Sequence, residues 1–322
     1  MISDFFPIKN DLINNNIDKV LNSLIQEHKY NLSFKIDKIS SLENIKSNSI
    51  LFLKNKYPKI NMNNVHIITN NKSFYESSDY ENISLVTDID QSYNIIINHI
   101  FHHEDDTNFF DDFLNIGNSY ISKYAYIHNS SKIFNNCVIG RGVKIGKNCI
   151  IKNNVVIKNS IIGDDVVISD NSTIGSTGFG FDLKKMGSKH LSPQIGIVIV
   201  ESGVYIGSNC SIDRGKIDET IIGKNSMLDN QIHIAHNVIL GESACIAAQV
   251  GISGSVKIGK NIIIGGQSGF AGHIKIGDNV IVAAKSGVTK NLASNSIVAG
   301  FPAVDIKDWK KSIIKFKKYG YK

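Results

Sequence analysis

The longest regular pattern in the chain is a spacing of six between apolar residues. From Ile222 to Val288 every sixth residue is apolar, without a break. The register consists of Ile222, Leu228, Ile234, Leu240, Ile246, Ile252, Ile258, Ile264, Phe270, Ile276, Val282 and Val288. An α-helix repeats near 3.6 residues and a plain strand near 2, so neither produces this period. A period of six is typical of a β-helix, in which short strands and turns wind into a prism. We therefore predict a mainly β fold, a left-handed parallel β-helix in which three hexapeptides close one coil.

A second tract with the same period precedes the long one. It runs from Ile121 to Ile174 and slips by one residue after Ile157. Two irregular segments then interrupt the register, a long one at 176–197 and a short one at 213–220. The long segment exceeds any turn, so we expect it to loop out of the prism, where functional residues are often found. The remaining length predicts roughly nine coils.

The flanking segments differ from the repeats. Residues 1–105 combine helix-like spacing with short β-like runs, which predicts a small α/β domain with a helix near 41–46. Residues 106–303 are assigned to the β-helix, and 304–322 to a C-terminal helical cap. The basic amphipathic pattern over 308–318 predicts a helix that covers the open coil end, where a strand edge would otherwise be exposed.

Composition excludes several classes of function. The net charge of +6 comes almost wholly from lysine, and Arg141 and Arg214 are the two arginines. No basic run is interleaved with aromatic residues, so nucleic-acid binding is not indicated. No signal peptide or apolar run of membrane-spanning length is apparent, so we expect a cytoplasmic protein with no transmembrane segment.

The four cysteines are predicted to be structural. None forms a CxxC pair, and their spacing fits neither a zinc site nor a disulfide framework. Cys137, Cys149 and Cys210 fall four residues after a register isoleucine, in a slot that favours small inward side chains. We predict buried, inert thiols there, and assign no such slot to Cys245.

Polar residues cluster inside the long tract. Asp229, Asn230, Gln231, His233, His236 and Asn237 lie within nine residues. Further on come 251–255, with Gly254, and 271–273, with His273. His236 and His273 are 37 residues apart, one more than two coils, which would place them about 10 Å apart along one edge. This cluster is the candidate site for a polar ligand.

Several motifs resemble a known family. They are Gly178-Phe179-Gly180-Phe181, Ile212-Asp213-Arg214-Gly215, Leu228-Asp229-Asn230-Gln231, Ile234-Ala235-His236-Asn237, Ala271-Gly272-His273 and Ala299-Gly300-Phe301-Pro302-Ala303 with Trp309-Lys310-Lys311. With these motifs the repeat domain resembles UDP-3-O-(3-hydroxyacyl)glucosamine N-acyltransferases of lipid A biosynthesis, which are hexapeptide-repeat enzymes. The resemblance is strong over the repeats and weaker over the first hundred residues.

The resemblance implies a reaction and its participants. A 3-hydroxyacyl chain would pass from acyl carrier protein to the 2-amino group of a UDP-glucosamine already acylated at O3. The protein would be a homotrimer without a cofactor, because the acyl chain arrives on the phosphopantetheine of its carrier. His236 matches the family's general base, a role that suits a neutral imidazole near pH 7. Gly254 matches a backbone N–H donor to the oxyanion, and His273 a histidine that positions substrate or phosphate.

The resemblance also assigns binding residues. Asp229 would orient an imidazole or the sugar, and Asn230 and Gln231 would bind hydroxyls or the pantetheine arm. Asn237 would bind substrate beside His236. We expect two further groups to contact ligand, Phe179 and Phe181 at the cleft, and Phe52, Asn55 and Tyr57 around uridine. The family spacing Phe-x-x-Asn-x-x-Tyr is one residue short here before Tyr57, which puts that contact in question.

Alternatives remain open at this stage. One is an acyltransferase for another nucleotide sugar, using a coenzyme A thioester, and a purely structural or binding module is a second. A third is a metal-dependent hydratase with His233, His236 and His273 as zinc ligands. Arg214 would either bind phosphate or anchor the irregular turn, and we favour the structural role.

Overall fold

The computed structural model describes residues 2–54, 63–102, 113–180, 191–300 and 305–320. The N-terminal part contains a five-stranded sheet whose strands, in spatial order, are Ile25–Tyr30, Asn82–Val86, Val65–Thr69, Ser49–Leu53 and Lys38–Ser40. Neighbouring strands pair in parallel except the first pair, which is antiparallel. Leu12–Ile13 and Lys35–Ile36 form a separate two-stranded sheet.

Helices cover this sheet. They are α1 (Ile2–Phe5), α2 (Ile17–Leu21), α3 (Lys72–Ser77) and α4 (Ile89–Ile100), with 3-10 turns at Asn14–Asn16 and Asn22–Leu24. The helix predicted near 41–46 is wrong, because that segment is an irregular connection between two parallel strands. Serines hold it in place. The Ser40 hydroxyl accepts the Lys46 N–H at 2.9 Å and bonds the Ser49 hydroxyl at 2.7 Å.

The rest of the chain is a three-sided prism. The first face contains Phe113–Ile116, Ser119–Ser122, Val138–Ile139, Val156–Ile157, Thr173–Ser176, Ser211–Asp213, His233–Ile234, Gly251–Ile252, Gly269–Phe270 and Gly287–Val288. The second face contains Tyr126–Ile127, Lys144–Ile145, Ser160–Ile162, Val198–Val200, Thr220–Ile222, Ile239–Leu240, Lys257–Ile258 and Lys275–Ile276. The third face contains Lys132–Ile133, Ile150–Ile151, Val167–Ile168, Tyr205–Ile206, Met227–Leu228, Cys245–Ile246, Ile263–Ile264, Ile281–Val282 and Ile297–Val298. Eight to ten strands per face agree with the predicted nine coils.

The register residues build the core of the prism. All twelve from Ile222 to Val288 are at most 5% exposed. In this tract each strand pairs in parallel with the strand one coil away, as Ile234 pairs with Ile252 and Ile252 with Phe270. Corner residues such as Asn237 adopt positive φ, a conformation that asparagine tolerates better than most residues. The hexapeptide period therefore determines both the core and the corners.

Both irregular segments lengthen a coil where they were predicted to. In the regular tract, paired residues are 18 apart, but Ser160 pairs with Val198 and Val198 with Thr220. These intervals of 38 and 22 residues add 20 and 4 to a regular coil. The cysteine prediction is also confirmed, since Cys137, Cys149 and Cys210 are buried and Cys245 is exposed.

The N-terminal part and the prism share a hydrophobic cluster. Phe5, Tyr93 and Ile97 pack with Ile195 and Ile197 from the end of the long irregular segment. The Tyr93 hydroxyl also donates to the Pro193 carbonyl at 3.0 Å. The domain therefore rests on the same segment that departs from the repeat.

The C-terminal helix α5 (Ile306–Tyr319) confirms the helix predicted over 308–318. Its apolar side chains Ile306, Ile314 and Phe316 are each more than half exposed. The predicted packing over the open coil end is therefore not seen among the described residues. The proposed boundary near residue 105 lies outside the described residues.

Candidate active site at a corner of the prism

The predicted histidines lie at the corner where the first and second faces meet. The Ser255 N–H donates to the His236 carbonyl at 2.9 Å, and the His273 N–H to the Gly254 carbonyl at 3.1 Å. His236 therefore stacks with Gly254 one coil on. His273 stacks with Ser255 and Asn237, one position further round the corner, as the interval of 37 residues requires. The two histidines share an edge but face different sides of it.

Hydrogen bonds around Asn237 determine which nitrogen of His236 carries the proton. Asn237 Oδ1 lies 3.2 Å from His236 Nδ1 and accepts the Lys216 backbone N–H at 2.9 Å. A backbone N–H can only donate, so the oxygen of the amide must face this side. His236 Nδ1 is then the donor to Asn237, and Nε2 keeps its lone pair. The imidazole is thereby set up to accept a proton through Nε2.

Glycines make room for the His236 ring. A Cβ at Gly254 would lie 2.7 Å from both Cε1 and Nε2 of His236, and one at Gly178 would lie 3.0 Å from its Cβ. Gly178 is fixed by two hydrogen bonds with the Gln194 side chain, at 2.8 and 3.0 Å. The Gly254 N–H donates to none of the described residues, so it can donate to an oxyanion beside Nε2.

Two pockets meet at this corner. The first-face pocket has a volume of about 520 Å³. Its lining includes Phe179, His233, His236, Gly254, Gly269 and Phe270. Apart from the histidines and Ser253 its walls are apolar or lack side chains, and Phe179 stands 77% exposed at its side. Such a surface suits an acyl chain or another apolar ligand.

The second-face pocket is charged. It has a volume of about 500 Å³ and lies between the 41–43 loop of the N-terminal domain and the second face. Its lining includes Glu43, Asp218, Asn237, Ser255, Lys257 and His273. An ion pair between Lys257 and Glu43 connects its two walls. Cationic and polar groups there suit a phosphate-bearing, polar ligand.

Asp213 lies near the site, although no role is predicted for it from the sequence. Its carboxylate is buried and lies 3.8 Å from His233 Nε2. Burial raises the pKa of the Asp213 carboxyl, while the electrostatic effects of His233 and His236 act in the opposite direction. The only available signal was a charged pair, Asp213-Arg214, in the short irregular segment. Arg214 donates to the Gln194 and Gly175 carbonyls, both at 3.1 Å, as its structural interpretation requires.

Asp229, Asn230 and Gln231 lie at the opposite edge of the first face, where chain enters it from the third. Asp229 Oδ1 accepts the Asn230 N–H at 2.8 Å, and Asn230 Oδ1 accepts the Ser208 N–H at 2.7 Å. Gln231 accepts the Gln249 side-chain amide at 2.7 Å. These bonds hold turns together, and none of the three residues lines either pocket. The predicted substrate contacts of Asp229, Asn230 and Gln231 thus gain no support from the geometry.

The residues expected around uridine are partly described. Phe52 is half-buried and packs edge-on against Tyr93, with ring centroids 5.3 Å apart. It lines neither pocket. Asn55, Tyr57 and Phe181 lie outside the described residues. Their roles stay predictions.

The three histidines of the zinc alternative do not form one cluster within a single chain. Among the described residues, no group of three or more His, Cys, Asp or Glu side chains is arranged to hold a metal ion. His233 and His236 line the first-face pocket, whereas His273 lines the second-face pocket.

In the described part of the chain, no helix is both long and apolar enough to span a bilayer.

Comparison with known proteins agrees with this geometry. Three family models match parts of the prism, namely GMPPB C-terminal domain (120–184), Bacterial transferase hexapeptide (219–254) and Hexapeptide repeat of succinyl-transferase (255–290). A protein of Desulfotalea psychrophila named UDP-3-O-acylglucosamine N-acyltransferase is 46% identical over 143 residues, 44% of this chain. A Francisella tularensis protein of the same name is 49% identical over 69 residues, 21% of this chain. Over the matched residues the chain is similar to these N-acyltransferases.

These similarities cover only part of each related protein. The chain spans 41% of the Desulfotalea protein and 20% of the Francisella protein. A crystal structure titled UDP-N-acetylglucosamine acyltransferase superposes with a TM-score of 0.52 at 25% identity, covering 64% of this chain and 83% of the other. The resemblance found in the repeat motifs is confirmed, as is the hexapeptide β-helix.

Proposed function

We propose that the protein is an N-acyltransferase that moves a 3-hydroxyacyl chain from acyl carrier protein to the 2-amino group of UDP-3-O-acylglucosamine, in lipid A biosynthesis. One observation carries the proposal: His236 Nε2 lies beside Gly254 at the corner between an apolar and a charged pocket. An acyl transfer from an apolar donor to a charged acceptor needs a base between two such sites. The names of the related proteins supply the substrate class.

The two pockets suggest where each substrate binds. The acyl chain and its thioester would occupy the first-face pocket, beside Phe179 and Phe270. The nucleotide sugar would occupy the second-face pocket, with its diphosphate near Lys257 and His273. The thioester carbonyl and the amine would then meet at the corner, so neither substrate has to cross a face of the prism.

The corner can perform the chemistry in two steps. The amine nitrogen attacks the thioester carbonyl, and His236 Nε2 takes the proton that the nitrogen loses as the C–N bond forms. The carbonyl oxygen becomes an oxyanion that the Gly254 N–H can stabilise. Collapse of this intermediate breaks the C–S bond, and the departing pantetheine thiolate takes up the proton from His236. Asn237 holds the ring in the required tautomer throughout.

A homotrimer is part of the proposal. Outward residues along the third face form an exposed stripe that is largely apolar. The stripe consists of Tyr205, Met227, Cys245, Ile263, Ile281 and Ile297. A contiguous apolar stripe on a rigid face is typical of a subunit interface, and three prisms joined this way would enclose the pockets. The proposal includes a cytoplasmic location, where acyl carrier protein and nucleotide sugars are found.

The test offers the purified protein UDP-3-O-(3-hydroxyacyl)glucosamine together with equal amounts of acyl carrier protein and coenzyme A thioesters. We expect N-acylated product to form mainly from the acyl carrier protein thioester, as measured by mass spectrometry. Consumption of the coenzyme A thioester instead would contradict the proposal that acyl carrier protein carries the acyl donor. Faster acylation of a different nucleotide sugar, or no transfer from either thioester, would contradict the proposed function.

A further inference from the structure

Asp218 has an unsatisfied carboxylate oxygen and lines the second-face pocket. It lies in the short irregular segment 213–220, which adds four residues to a regular coil. Its Oδ1 is buried and has no hydrogen-bond partner among the described residues. The residue lines the second-face pocket. Burying a carboxylate oxygen without a donor is costly, so a ligand that brings a donor would be favoured there.

Packing fixes Asp218 in this position. A Cβ at Gly215 would collide with both the Asp218 carbonyl and the Asn237 side-chain amide, so these two groups crowd the same glycine. A Cβ at Gly196 would also collide with the Asp218 carbonyl. Asn237 in turn holds His236 through Nδ1. Asp218 therefore reaches the pocket from the turn that packs beside the residue orienting the base.

The charges of the pocket leave Asp218 available for a cation. Glu43 is paired with Lys257 across the pocket. Lys275 supplies positive charge suited to phosphates, and His273 supplies an imidazole that can bond to them. Glu219 also lines the pocket, but its oxygens are not among the buried unpaired atoms. A carboxylate oxygen that is buried and unpaired in a residue lining the pocket is suited to a ligand's ammonium group.

We propose that Asp218 binds the acceptor amine as its ammonium form and so makes the site selective for an amine over a hydroxyl. This inference rests on the proposed function. The –NH₃⁺ group donates one N–H to Asp218 and loses one proton to solvent before attack, and the neutral amine then gives its second proton to His236 Nε2 as the C–N bond forms. A hydroxyl in the same place forms a weaker bond because it carries no charge.

Binding measurements test the proposal without requiring turnover. UDP-glucosamine and UDP-glucose differ at C2 by amine and hydroxyl, so calorimetry with both isolates the contribution of the amine. We expect Asp218→Asn to weaken the affinity for UDP-glucosamine by about tenfold or more, as for loss of a hydrogen bond to a charged group. The affinity for UDP-glucose should stay within about twofold of the wild-type value. Thermal unfolding of the variant checks that the turn remains folded.

Glu219→Gln provides the matched control, since it removes the same charge from the same pocket without altering the buried oxygen. We expect a weaker and less selective effect from that change. Equal losses in the two variants would assign the effect to the overall charge of the pocket and overturn the proposal. Unchanged UDP-glucosamine binding by Asp218→Asn, or equal loss for both nucleotides, would overturn it as well.

An acyl-transfer assay separates this proposal from the proposed function. If the wild-type protein transfers acyl groups, Asp218→Asn should raise KM for the amine acceptor and reduce the preference for amine over hydroxyl acceptors. Transfer with an unchanged preference would contradict the role of Asp218 alone. If no thioester supports transfer, the proposed function fails, while the calorimetric comparison still decides whether Asp218 recognises an amine.

Discussion

The regular coils and the irregular segments of the prism treat polar side chains differently. In the regular tract, corner residues bond to their equivalents one coil away, as Asn261 does with Asn279 at 3.1 Å and Gln249 with Gln267 at 2.6 Å. In the short irregular segment, Asp218 keeps a buried oxygen without such a partner. Repetition therefore satisfies polar groups internally, and interruption of the repeat leaves groups available for a ligand.

The same comparison explains why the site lies where it does. His236 belongs to a regular coil, and its stacking with Gly254 follows from the period. The residues that orient or accompany it, Lys216 and Asp218, come from the irregular turn. The repeat supplies a rigid scaffold that carries His236. The irregular turn supplies the polar groups of Lys216 and Asp218, which a regular repeat could not place there.

The largest stability effect is expected in the regular tract. Ile264 is 1% exposed in the core of a coil, so Ile264→Ala should lower the free energy of unfolding by about 2–5 kcal/mol through lost burial and a cavity. Lys260→Ala in the same coil, at an exposed corner, should stay within about 0.5 kcal/mol. Chemical denaturation measures both. Similar losses in the two variants would show that the register residues do not carry the stability of the coil.

The next effect concerns the contact between the repeat and the base. Gly254→Ala should reduce acyl transfer by about a hundredfold, because a Cβ 2.7 Å from His236 Nε2 displaces the ring. Gly287→Ala is the matched control, since a Cβ there has nothing within 4 Å. Steady-state kinetics with thermal unfolding separates activity from stability. Full activity in Gly254→Ala would remove His236 from the reacting position.

The N-terminal domain offers a histidine that is unlike the one at the corner. His66 is fully buried, and burial lowers its pKa to about 3. The unfolded chain protonates this group below about pH 6.5, so stability should fall with pH between about 6.5 and 3. His66→Leu should remove about 2 kcal/mol of the loss between pH 8 and pH 5. Denaturation at both pH values measures it, and an unchanged pH dependence in the variant would contradict the burial of a neutral imidazole.

The smallest effect is expected from the corner ladders. Gln249 bonds to Gln231 on one side and Gln267 on the other, on an exposed edge. Gln249→Ala should cost about 0.5–1 kcal/mol, since exposed hydrogen bonds exchange with water. Acyl transfer should be unchanged, because the ladder lies at the opposite edge from His236. A large loss of acyl transfer would support the substrate contact that the sequence predicts for Gln231.

Features that follow from the period could be predicted from the sequence. The twelve register residues, the buried cysteines and the interval between His236 and His273 all depend on counting along a regular coil. The role of Asn237 in setting the tautomer could not be predicted, because it depends on the Lys216 backbone in an irregular turn. The helix predicted near 41–46 is wrong for a similar reason, because that segment also depends on contacts outside the local pattern. Serine hydrogen bonds that involve the neighbouring strands override that pattern. Motif matching placed Asn230 near substrate, but an asparagine suits a turn equally well.

The proposed mechanism requires His236 to be the base for acyl transfer at this corner. The most direct test is steady-state transfer from an acyl carrier protein thioester by His236→Ala, with folding and oligomeric state checked by scattering and thermal unfolding. We expect a folded protein of unchanged oligomeric state that still binds UDP-sugar, with transfer reduced by about 10²–10⁴-fold. Turnover at the wild-type rate by this variant would contradict it.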